Sequence, residues 1–137
     1  MISPIAYKRI FITFCIYDLV ALTPFFLPYL NTAHLSTLDS LNQILGGSAF
    51  DSFSHIHMLF VQMLGVLGTG WAVWRWRNFS VEIAQFEGIL RLVFSGVFFS
   101  ASFKLNMPLL FVFCVIDFVG GILHLNPAKD KTIVQPG

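Results

Sequence analysis

Four apolar runs, each close to the length of a membrane crossing, take up most of this chain. They cover residues 10–30, 56–74, 83–103 and 107–125. A bilayer crossing needs about 20 apolar residues in a helix. In lipid the backbone polar groups must be satisfied within the segment, so such runs form helices and not open strands. The expected fold is therefore all-α, a four-transmembrane-helix bundle. Charged residues make up only 11% of the 137 positions, against about 25% in soluble domains. Little length remains outside the runs, so residues 1–137 read as one integral membrane domain. A net charge of +1 without a basic tract gives no footing for nucleic acid.

Basic residues give the direction of insertion. With four crossings, Lys8, Arg9, Arg75, Arg77, Lys129 and Lys131 fall on one side and Lys104 on the other. The positive-inside rule places both termini in the cytoplasm, with the plasma (inner) membrane as the expected location. Trp71, Trp74 and Trp76 stand where the second run leaves the bilayer, as an interfacial aromatic belt would. Lys8 and Arg9 precede an apolar run too long for a signal peptide, and no Ala-x-Ala site follows it.

The longest connection, residues 31–54, lies on the non-cytoplasmic side. Leu35, Leu38, Leu41, Ile44 and Leu45 recur in it at helical spacing among polar residues, and Gly46-Gly47 follows. This spacing predicts a short amphipathic helix on the membrane surface, lying as a lid over the bundle or, as the alternative, as a gate over a ligand entrance.

Ionisable residues inside the runs are the candidate site. Near mid-bilayer such a side chain costs roughly 2.5–3.5 kcal/mol on insertion scales, so it persists where it has a partner, a cavity or a ligand. Asp18, Arg91 and Asp117 each lie about 12 Å from the cytoplasmic end of their run, at 1.5 Å per residue. Glu87 is one turn below Arg91, and His124 is seven residues after Asp117 on the same face. The expectation is two polar layers, Asp18–Arg91–Asp117 and, beneath it, Glu87–His124. With one arginine against three carboxyl groups, at least one acid is expected to keep its proton. Stripes of small and polar residues mark the inward faces. They are Gly65 and Thr69 with Met58 and Gln62, then Gly88, Ser95 and Ser102, then Cys114, Asp117, Gly121 and His124.

Other chemistry is weakly signalled. Cys15 and Cys114 form no CxxC pair and read as small buried side chains. His55 and His57 are two apart and point to different faces. Even with His34, Asp39 and Asp51 they predict no metal site. His57 and His124 lie at opposite ends of their spans, which argues against a bis-histidine haem. No cofactor is expected.

The layout resembles that of DoxX-like small four-helix membrane proteins. The likeness rests on Tyr17-Asp18-Leu19, the stretch from His57 to Gly65, Glu87 with Arg91, and Asp117 with Gly121 and His124. It implies an accessory role in a membrane oxidoreductase system. Two functions follow as expectations. One is an accessory subunit or a module binding a lipid or quinone-like molecule, with a membrane protein partner or a second copy. The other is an intramembrane enzyme or proton-coupled transporter working through a carboxyl that keeps its proton.

Overall fold

The computed structural model describes residues 2–126. Among them are five α-helices: α1 (Pro4–Phe26), α2 (Leu30–Ile44), α3 (His55–Arg77), α4 (Val81–Lys104) and α5 (Pro108–Leu125). Helices α1, α3, α4 and α5 are long and apolar enough to cross a membrane. The protein is an integral membrane helical bundle.

Helix starts follow local chemistry. The hydroxyls of Ser3, Ser54 and Ser80 accept from the backbone N–H of Ala6, His57 and Ile83, supplying acceptors that the first turn lacks. Pro4 and Pro108 stand in first turns, where a missing N–H costs nothing. Because of the Ser3 cap, α1 begins before Lys8 and Arg9 instead of at residue 10. It ends at Phe26, ahead of Pro28 and of Tyr29, whose φ of 69° is left-handed. Lys8, Arg9 and Arg77 are exposed at one end of the bundle and Lys104 at the other. Lys129 and Lys131 lie outside the described residues.

Helix α1 packs along α3 and α4 along α5, and α1 also meets α5. Small residues set the close approaches. A Cβ on Gly65 would lie 2.7 Å from the Phe26 backbone nitrogen and 2.9 Å from Phe25 Cβ. Between α4 and α5, a Cβ on either Gly88 or Gly121 would lie 3.0 Å from the other's carbonyl oxygen. The hydroxyls of Thr23 and Thr69 meet at 3.3 Å between α1 and α3. These contacts follow the general pattern that small residues let membrane helices approach closely.

Helix α2 occupies the long connection, but its orientation differs from the leucine pattern. Asn31 and Asn42 are buried, Leu35 and Leu38 are half-buried, and Leu41, Ile44 and Leu45 are exposed. Asn42 sets this rotation. Its amide donates to the Ser48 carbonyl at 2.8 Å and accepts from the Leu109 N–H at 3.1 Å, tying the end of α2 to the first turn of α5. Gly46, with φ of 87°, makes the turn that allows it.

At the end of the bundle that holds the N-terminus, an aromatic cluster closes the interior. Tyr7, Phe11, Cys15 and Ala84 are buried together, with Phe79 packed on them. Tyr7 Oη donates to the His124 carbonyl oxygen at 2.6 Å, satisfying a group that the last turn of α5 leaves open. Tyr7→Phe should therefore cost about 1 kcal/mol of stability. Reversible unfolding in mixed micelles checks it, and an unchanged midpoint would contradict it.

Candidate functional site: the charged core

The ionisable residues of the spans form one connected group. Arg91 of α4 is buried at its centre. Its Nη1 meets Asp117 Oδ1 of α5 at 2.6 Å, and its Nη2 meets Asp18 Oδ2 of α1 and, at 3.0 Å, Glu87 Oε1 one turn back on α4. Arg75 of α3 also enters, pairing with the same Asp18 and Glu87 oxygens. Trp71 Nε1 donates to Glu87 Oε2 at 3.0 Å. All four membrane-spanning helices thus contribute a charge to one cluster.

Arg75 is the residue that sequence reasoning misplaced. Its position near the end of an apolar run assigned it to the interface beside the tryptophans. In the structure its side chain is only 1% exposed. A signal was present: Gly65, Gly68, Ala72 and Arg75 step by three, four and three, continuing the inward stripe of α3. Trp71 turns inward with it and stacks on Trp74 at 5.2 Å, while Trp74 and Trp76 stay exposed.

The two expected layers are rearranged. Glu87 joins the arginines, because a carboxylate one turn from Arg91 reaches the guanidinium with ease. His124 is fully buried but lies apart from the ion pairs. Its ring packs against Phe11 at 5.7 Å and Phe14 at 5.2 Å, and the Phe14 ring carries the Arg91 guanidinium at 4.6 Å. Phe14 thus links the two by cation–π and aromatic contact. The Gly120 carbonyl lies near the histidine ring, but neither ring nitrogen meets a partner at full hydrogen-bond geometry. Gly120 makes the arrangement possible, since a Cβ there would sit 2.6 Å from the Phe14 ring and 3.1 Å from Arg91 Cδ.

Beyond the cluster, Ser95 Oγ donates to the Cys114 carbonyl at 3.0 Å. Both cysteines are buried and unpaired. Of the outer histidines and acids, His34 and Asp39 are engaged separately. His34 Nε2 lies 3.2 Å from the Ala21 carbonyl, and Asp39 accepts from the Phe50 N–H at 2.8 Å and from Gln43 at 3.0 Å. Among the described residues, no three of His, Cys, Asp and Glu converge on a point that would hold a metal ion.

Chemically, such a cluster fixes helix register strongly. A buried ion pair gains little over a well-packed apolar core, but removing one partner is expensive. Each of the three carboxylates is engaged by at least one guanidinium. The chain matches no protein-family model, no curated protein and no solved structure.

Proposed function

We propose that this protein is a non-catalytic membrane module, an accessory subunit whose charged core holds four helices in register while its lipid-facing surface meets a partner. One observation carries the reading: a single network joins Asp18, Arg75, Glu87, Arg91 and Asp117 across all four spanning helices and engages every carboxylate in it. A core committed in this way favours scaffolding over turnover. The resemblance to DoxX-like proteins points the same way, toward a membrane oxidoreductase system, with a lipid or quinone-like molecule as the ligand class. The exposed face of α4 supplies a seat for a neighbouring helix. There Val93, Gly96, Val97 and Ser100 border a shallow groove, and a Cβ on Gly96 would meet nothing within 4 Å. The leucine arc of α2, with Leu41 and Ile44 exposed, suits a helix resting in the headgroup layer. Exposed Lys8, Arg9 and Arg77 opposite Lys104 support cytoplasmic termini in the plasma membrane.

Native mass spectrometry of the protein extracted from its own membrane tests this. Wild type should carry a stoichiometric membrane protein, lipid or quinone, and a protein partner should be lost from Gly96→Leu, whose core is untouched. A wild-type chain at its own mass alone would overturn the reading. The enzyme or transporter alternative draws on one observation, the excess of carboxylates over guanidiniums in the core.

A further inference from the structure

Three carboxylates, Asp18, Glu87 and Asp117, meet two guanidiniums, Arg75 and Arg91, which leaves the ionised cluster with one net negative charge. Arg75 therefore narrows the imbalance expected from the sequence without removing it. An uncompensated charge in a low-dielectric interior costs several kcal/mol even after relaxation. A metal ion does not fit as the balance, since no three-ligand group converges among the described residues. A proton does fit.

We propose that the core is a proton-binding site and that Asp117 holds the proton. The donors around each acid select it. Glu87 receives both guanidiniums and the Trp71 indole N–H. Asp18 receives both guanidiniums. Asp117 receives Arg91 alone, through Oδ1. Among the described residues Asp117 Oδ2 and Asp18 Oδ1 both meet no donor, but Asp117 has one guanidinium where Asp18 has two, so Asp117 gains more from an O–H bond. Binding converts carboxylate and proton to a neutral carboxylic acid and brings the cluster from one negative charge to zero.

The surroundings agree. From α1 the site is faced by Asp18 and the neutral Tyr17, from α3 by Arg75, from α4 by Glu87 and Arg91, and from α5 by His124. His124 is the other place for a proton, and it is buried with both ring nitrogens unpartnered. A charge there would stand across Phe14 from the Arg91 cation, with aromatic rings instead of a carboxylate beside it. The aromatic cluster of Tyr7, Phe11 and Phe79 closes the interior toward the N-terminal end. The side chains of Asp18 and Asp117 remain 15% and 11% exposed, against 1% for Arg75. This site is independent of the accessory-subunit reading, which stands or falls on what co-purifies.

Infrared spectroscopy of the full chain in lipid at neutral pH is the test. Wild type should show a protonated carboxyl C=O stretch that moves down in D2O and also moves when aspartate carries ¹³C in its side-chain carboxyl. In Asp117→Glu the band should persist but lose its response to labelled aspartate, while in Asp18→Glu the response should remain. A wild-type spectrum without such a band overturns the proposal even if no variant folds. So does a band insensitive to aspartate label, or one whose label response is lost in Asp18→Glu instead.

Discussion

Arg91→Gln should cost the bundle about 3–5 kcal/mol, the penalty for removing one partner from a buried ionic group. Arg91 touches all three core acids and, among the described residues, is the only guanidinium on Asp117. Its removal leaves Asp18 and Glu87 to share Arg75 alone and takes from the α5 acid its hydrogen-bond donor. The Phe14 ring, which stacks beneath the guanidinium, loses its contact as well. Arg91→Lys should recover only part of the loss, because one ammonium cannot present the planar fork that reaches Asp117 on one nitrogen and Asp18 and Glu87 on the other. Denaturant titration in bicelles reads the difference. Wild-type stability in Arg91→Gln would mean that the ion pairs do not hold the helices together.

Gly65→Val should be strongly destabilising, because the added isopropyl group meets backbone. Overpacking a well-packed contact typically costs about 1–3 kcal/mol, sometimes more. Two of the three nearest atoms to the added Cβ belong to the α1 backbone, the Phe26 nitrogen at 2.7 Å and the Leu22 carbonyl oxygen at 3.1 Å. Backbone cannot rotate away as a side chain can, so α1 and α3 must separate, and the cost should lie at the upper end of that range. Separation would also draw Asp18 from Arg75. Gly70→Val is the matched comparison on the same helix, since a Cβ there meets nothing within 4 Å. It should stay close to wild type in the same titration. Equal losses at both positions would show that helix propensity, and not the α1–α3 contact, decides the outcome.

The spans were legible because lipid imposes a length and an apolar content that a sequence displays directly. The inward stripes of α4 and α5 were legible for a related reason: Gly88, Ser95 and Ser102 are buried where a seven-residue repeat places them, and Cys114, Asp117, Gly121 and His124 where steps of three, four and three do. Arg75 was not legible by charge alone. The same residue near a helix end serves either as an interfacial anchor or as a core partner, and only the stripe it shares with Gly68 and Ala72 separates the two. The His124 pairing failed because depth along a helix does not fix the direction of a ring, and His124 packs on Phe14, whose ring meets the Arg91 guanidinium. The rotation of α2 failed because leucine spacing ignores what two asparagines do. Asn42 bridges two later stretches of the chain, at Ser48 and Leu109, a contact that no local pattern reveals.

The pairing of α1 with α3 and of α4 with α5 has a consequence for biosynthesis. A ribosome delivers the chain from its N-terminus, so the first pair reaches the bilayer before the second exists. That pair contains Asp18 and Arg75, one acid and one base that bond each other. It can enter lipid as a self-neutralised hairpin and wait there. The pair that follows brings Glu87, Arg91 and Asp117, and with both acids ionised it arrives one charge short of balance. Its two acids share one arginine until the waiting hairpin brings Arg75 to Glu87. The later-made half is the one that needs the earlier, and the order of synthesis matches the order in which the charges can be satisfied.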